Sequence, residues 1–180
     1  MTSCLICKAK THPVIDFGRM PIANGFLSPG EFAAEYFYDL RVGFCPACHM
    51  VQLEELVDRD KMFHDHYAFF SSTSRRMGTH FAQFAAEARQ ALAGKPDPFV
   101  VEIGSNDGIL LRHFAEAGIR HLGIEPSANV AAVARERGID TVSRFFDVDF
   151  AREIVNRRGA ADLFLGANVM CHIPDLHSVA

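Results

Sequence analysis

The sequence predicts an α/β chain, a β-rich module followed by an incomplete, Rossmann-like parallel sheet. Three observations predict it. Residues 1–60 hold four of the five cysteines and several Gly and Pro among short alternating segments. Gly94-Lys95-Pro96-Asp97-Pro98 then breaks the chain, since two prolines in three residues cannot continue a helix. Beyond the breaker, strands alternate with helices of roughly 10–15 residues, the pattern of right-handed βαβ units.

Composition bounds the rest. In 180 residues, 49% are apolar and 22% charged, which excludes a disordered or collagen-like chain. Eighteen basic against 22 acidic side chains leave a net charge of −4, a field that repels nucleic acid, so no nucleic-acid partner is expected. No run approaches the ~20 apolar residues that span a bilayer. Met1-Thr2-Ser3-Cys4 lacks the basic start and apolar stretch of a secretory signal. The expectation is a soluble, cytoplasmic monomer with no membrane partner.

Taken in order, residues 1–60 read as the β-rich module, with an alternating segment from Phe37 to Val42 and turns at Met20-Pro21 and Ser28-Pro29-Gly30. Residues 61–95 form a connecting helical segment. Met77, Phe81, Phe84, Ala88 and Leu92 recur at three- and four-residue steps, predicting a helix over 75–93. Residues 96–180 supply strands at 99–103, 121–125, 139–142 and 162–166. The helices between them are placed at 107–117, 127–137 and 148–158, and a last one begins near Pro174. The sequence stops inside that helix, after the fourth strand, and reads as the front portion of a longer protein.

Cys4-x-x-Cys7 and Cys45-x-x-Cys48 are two pairs of the kind that present two thiolates from one turn. Together they suit tetrahedral Zn2+. Without a secretory signal, disulfides are disfavoured, and no βαβ pattern surrounds either pair as a redox motif requires. Four protein ligands close the shell, so the metal is expected to be structural. His49, next to Cys48, is an alternative ligand that a complete Cys4 set displaces. Cys171 reads as a small buried residue.

Glu102-Ile103-Gly104-Ser105-Asn106-Asp107-Gly108 sits where the first parallel strand turns into its helix, the edge at which α/β sheets bind ligands. Gly104 and Gly108 allow close backbone approach, and Asn106 is the best non-glycine residue for a left-handed turn. A dinucleotide loop needs glycine at 106 and 109, where this chain has Asn and Ile. The loop instead resembles the acidic-x-Gly-x-Gly-x-Gly turn of S-adenosylmethionine (SAM) methyltransferases, with Glu102 placed to meet the positive charge of the ligand. Glu125, ending the second strand in Gly123-Ile124-Glu125-Pro126-Ser127, is placed to grip a ribose diol; its other reading is a charge at a helix N-terminus.

After the fourth strand, Asn168 is a candidate for the methionine end of the ligand. His172 carries an imidazole, the side-chain type suited to take a proton near neutral pH. Its other reading is a loop or capping histidine. His64-Asp65-His66 has the residue types of a metal cluster but the spacing of an exposed loop, and the four hydroxyls of Ser71-Ser72-Thr73-Ser74 read as helix capping.

Together these residues resemble the deoxysugar C-methyltransferases that act on nucleotide-linked 4-keto sugars. Five motifs run in the same order: the paired cysteines around Pro21-Ile22-Ala23-Asn24-Gly25-Phe26, the Tyr67–Ser74 run, the 102–108 loop, the Gly123–Ser127 turn, and Asn168-x-x-x-His172-Ile173-Pro174-Asp175. The resemblance implies an N-terminal zinc-binding module followed by a Rossmann-like SAM-methyltransferase sheet. It implies SAM held by Tyr67, the Gly104–Gly108 loop, Glu125, the Phe145-Phe146 turn and Asn168, and His172 beside a nucleotide-sugar substrate. The family's further strands, its Tyr-His-Glu-His run and its C-terminal domain have no counterpart in these 180 residues. Two rival readings are an RNA-base methyltransferase with a zinc module, which calls for a basic stripe that residues 1–60 lack, and a non-catalytic zinc-binding interaction module.

Overall fold

The computed structural model describes residues 2–23 and 25–180; Met1 and Asn24, the latter part of the Pro21–Phe26 run, lie outside the described residues. The chain divides into two compact units, Met1–Phe63 with His172–Ala180, and His64–Cys171.

In the first unit, β1 (His12–Pro21) pairs antiparallel with β2 (Phe37–Phe44), which pairs in turn with β3 (Val51–Leu53). All ten residues of β1 are exposed, apolar Val14 and Phe17 included. Its register shifts between Asp16 and Arg19, where Gly18 takes φ +76° and donates its N–H to Asp16 Oδ1 at 2.8 Å. The expected turn at Ser28-Pro29-Gly30 opens a 3-10 helix, Pro29–Ala34, with Glu31 Oε2 accepting the Ser28 N–H at 2.8 Å. A single-turn helix, α1 (Arg59–Met62), follows β3, capped by Asp58.

The second unit begins with the segment 64–74 and α2 (Arg75–Gln90), whose Phe81 and Ala85 are buried, as the helical period requires. Phe81, Ala85 and the following Leu92 join Val100, Leu110, Leu111, Phe114 and Leu165 in one apolar core. Next come β4 (Phe99–Ile103), α3 (Arg112–Ala115), β5 (Arg120–Ile124), α4 (Ala128–Glu136), β6 (Thr141–Val142), α5 (Val148–Arg158) and β7 (Leu163–Gly166). The strands are parallel in the order β6-β5-β4-β7. β4 is central and buried along its whole length, which is why it reads as an apolar run rather than an alternating one.

The helix expected over 107–117 shrinks to the four residues of α3. Gly108 stands at φ +80°, so regular helix cannot start there, and Ile109, Leu110 and Leu111 are buried in turns instead. A methyl group on Gly108 would come 2.8 Å from the Ile139 side chain, so the turn is also a point of close packing. The final segment, grouped with the first unit, ends in α6 (Leu176–Val179), capped by Asp175 on the Ser178 N–H at 3.1 Å.

Candidate functional site

The two cysteine pairs fold into equivalent turns. Cys4 N–H donates to Ala9 O and Cys45 N–H to Met50 O, both at 2.8 Å. Lys8 N–H returns to Cys4 O and His49 N–H to Cys45 O. Lys8 and His49 occupy the left-handed region at φ +62° and +64°, each directly after the second cysteine of its pair. This geometry points both sulfurs of each pair inward, and the four Sγ atoms lie within 4.8 Å of one another. A tetrahedron with Zn–S near ~2.3 Å needs sulfurs about 3.8 Å apart. Cys4–Cys48 and Cys7–Cys45 are each 3.5 Å apart, so the donor set fits Zn2+.

The Cys7 backbone N–H beside Cys4, with that of Ile6 and the neighbouring sulfurs, holds the Cys4 thiol down to about 6 against the cost of desolvation. At Cys48 the Met50 N–H pulls the same way, but desolvation and the three other sulfurs outweigh it and push the thiol up to about 12. Crowding four potential anions permits the first ionisation and opposes the last, unless a cation sits among them. His49 turns away to stack on Phe44, with ring centroids 6.0 Å apart.

At the other site, β4 delivers Glu102 into the interior, 2% exposed, with Oε2 lacking any partner among the described residues. Burial, and the charge of Glu125 just past the end of β5, push the Glu102 carboxyl well above its ordinary range. Glu125 is also raised by burial, opposed by two backbone donors. Its Oε2 accepts the Asn106 N–H at 3.0 Å and its Oε1 the Ser127 N–H at 2.8 Å. The contact with Ser127 is the helix-entry role that the sequence also allowed.

Between the two acids the loop is shaped by its backbone. Gly104 takes φ +62°, and a Cβ there would lie 2.7 Å from the Val169 side chain. Asn106 takes φ +50°, the left-handed turn expected of it. Ser105 Oγ and Asn129 Oδ1 are buried, like Glu102 Oε2, without hydrogen-bond partners among the described residues. Buried polar atoms left unpaired cost free energy, so these three, at the end of β4, in the loop after it and at the start of α4, suit a polar ligand.

The other sequence candidates fall as follows. Phe146 packs against Phe164 of β7, centroids 5.3 Å apart. Asn168 sits at φ +54° after β7. Tyr67 is half-buried, and its carbonyl accepts from Asn129 Nδ2 at 2.9 Å. His172 belongs to the first unit, its ring edge-on to Phe63 at 5.7 Å. Cys171 is exposed rather than buried, because it follows the turn at Asn168 instead of continuing β7. His64 Nδ1 accepts the His66 N–H at 3.1 Å, and among the described residues only the cysteine quartet gathers metal-ligating atoms.

Two family models match the chain. Residues 4–63 match Methyltransf_13, a zinc binding domain, and residues 75–180 match Methyltransf_23, a methyltransferase domain. The chain belongs to the methyltransferase domain family. Among relatives, C-methyltransferase NovU of Streptomyces niveus is 32% identical over 167 residues, covering 92% of this chain and 40% of NovU. The chain therefore spans two fifths of that relative's length. Solved structures resembling it include the plantazolicin methyltransferase BpumL with SAH, at 15% identity and TM-score 0.44 over 59% of this chain and 43% of BpumL. Magnesium protoporphyrin IX methyltransferase from Synechocystis with SAH gives 17% and 0.43, over 64% and 53%. At such TM-scores neither adds to the assignment.

Within this methyltransferase domain, sequence reasoning missed Asp107. It is fully buried, its Oδ2 3.1 Å from Arg137 Nη1, and both its oxygens accept the Ser72 N–H. The signal available was an Asn-Asp pair where a mobile loop would carry glycine and small residues. No helix among the described residues is long and apolar enough to cross a membrane.

Proposed function

We propose that this chain binds SAM over the carboxyl ends of β4 and β5 and serves a C-methyltransferase acting on a nucleotide-linked keto-deoxysugar. The observation that carries the reading is Glu102, a buried carboxyl group with an unpartnered oxygen beside a glycine loop held at positive φ. The 32% identity to a C-methyltransferase supports carbon as the acceptor, and the five-motif resemblance supports the sugar.

In this reading Glu102 faces the cationic end of the ligand, and Glu125 turns from its two backbone donors toward the ribose. Gly104, Asn106 and Gly108 hold the loop close, Phe146 and Tyr67 flank the nucleoside, and Asn168 meets the methionine end. SAM, when bound, supplies an electrophilic methyl group. Carbon beside a ketone becomes a nucleophile only after losing a proton, so a base and a donor for the resulting enolate oxygen are required. His172 is the candidate of this chain for holding that proton, and orientation of the two reactants supplies much of the remaining rate. The zinc, closed by Cys4, Cys7, Cys45 and Cys48, has a structural role and leaves no position for water.

Calorimetric titration of the zinc-loaded chain with SAM tests the cofactor half, with one site expected and weaker binding of the uncharged thioether product. Absence of both heat and thermal shift would sink it in favour of an interaction module. For the substrate half, methyl-labelled SAM and a nucleotide-linked 4-keto-deoxysugar incubated with the zinc-loaded protein should yield label on a sugar carbon; label on oxygen, or none, overturns that half.

A further inference from the structure

The run Phe69-Phe70-Ser71-Ser72 does more than precede a helix. Only Ser74 caps α2, through Met77 N–H at 3.3 Å. The residues before it are fastened, atom by atom, to the two elements that bound the proposed cofactor site. Asn106 uses both ends of its amide: Oδ1 accepts the Ser71 N–H at 2.8 Å, and Nδ2 donates to Phe69 O at 3.1 Å. The side chain thus pairs with the segment as a neighbouring strand would.

Next to it, Asp107 accepts the Ser72 N–H at 3.2–3.3 Å and also the Ser72 hydroxyl. Arg137 closes the group, donating to Ser72 Oγ at 2.9 Å and Asp107 O at 3.1 Å while paired with the Asp107 carboxylate. Farther along, Asn129 at the start of α4 holds Tyr67 O. Asn106 also explains a departure in the loop. Glycine would satisfy φ +50° at no steric cost, yet only an amide side chain both tolerates that conformation and supplies one donor and one acceptor.

We propose that Asn106 and Asp107 are positioning residues that strap residues 67–72 onto the glycine loop, so that loop and strap present one preorganised surface to SAM. This rests on the cofactor reading above. Preorganisation matters because a strap ordered only on binding would subtract its ordering cost from the affinity.

The test uses Asn106→Gly in the zinc-loaded chain, a substitution that suits the backbone angle and removes both amide contacts. Ser72→Ala, which keeps the backbone bonds to Asp107, is the milder second variant. Hydrogen exchange at Ser71 and Ser72 and the SAM dissociation constant are measured together. For Asn106→Gly, exchange at the two serines should quicken and SAM binding should weaken, each roughly 10–100-fold, as the loss of two net hydrogen bonds gives. Exchange in β4 and β5 should stay as in the parent, which a global loss of structure would not allow. Ser72→Ala should move both readouts in the same direction by less. Unchanged exchange at Ser71 and Ser72 overturns the strap. Faster exchange with SAM affinity kept within twofold overturns its positioning role. A parent chain that fails to bind SAM defeats the cofactor reading itself, and that result is seen before any variant is made.

Discussion

The two units are held by different physics. In the second, β4 and its neighbours bury Val100, Leu110, Leu111, Phe114 and Leu165 in a continuous apolar core. In the first, the buried apolar side chains among the described residues are Cys4 and Cys45 alone, and β1 is exposed along its whole length. A sheet that buries so little cannot offset the entropy of ordering its backbone by apolar burial alone. Polar contacts tie the first cysteine turn to β3, where Gln52 Oε1 accepts the Leu5 N–H at 2.8 Å and Gln52 Nε2 donates to Ser3 O at 3.2 Å. The difference teaches that one unit depends on a cross-link and the other on packing.

The largest test of that contrast is metal removal. Structural zinc in small modules contributes on the order of 10 kcal/mol, so chelation or Cys45→Ser should unfold residues 2–63 while β4–β7 keep their hydrogen-exchange protection. Equal loss of protection in both units would erase the distinction, and mass spectrometry should count one zinc per parent chain. The converse substitution, Phe114→Ala, removes a fully buried ring. It should cost about 3–5 kcal/mol in denaturant unfolding of the second unit and leave the zinc count unchanged.

Glu102→Gln separates stability from binding within the second unit. Because burial raises the folded-state pKa of Glu102, its neutral form is favoured by folding. The stabilising contribution is complete below the unfolded value near ~4.3 and is lost as pH rises toward the raised folded value. Glutamine stays neutral throughout, so the variant should lose this part of the parent's decline above the unfolded value. Its SAM affinity should fall roughly 10–100-fold, the worth of a charge-assisted contact. A variant that matches the parent in both pH profile and SAM affinity would contradict the electrostatic role. The smallest effect is expected of Ser74→Ala, which uncaps α2 and should cost about 1 kcal/mol in thermal or denaturant unfolding, with zinc and the 67–72 strap unaffected.

Much of this fold is legible without coordinates where period and punctuation agree. The strand at 99–103 and the helix at 148–158 stand where an apolar run and an amphipathic period place them. Residues 107–117 show the limit. Their composition is helical, but the closed turn at Gly108 and the packing of Ile109–Leu111 into the core leave one turn of helix. The cysteine quartet is legible because its ligands come as two local pairs. Asp107, Arg137 and Ser72 are not, since they lie far apart in sequence and meet only when the sheet folds.

By itself the sequence determined the paired cysteine turns, the alternation of strands and helices, and the placing of Glu102 and Glu125 at consecutive strand ends, because each depends on spacing over a few residues. Only the tertiary structure decided that Asn106 and Asp107 fasten the serine run and that Glu102 is buried with an unpaired oxygen. Those facts depend on which distant backbone groups arrive beside a side chain, and local residue pattern does not encode that meeting.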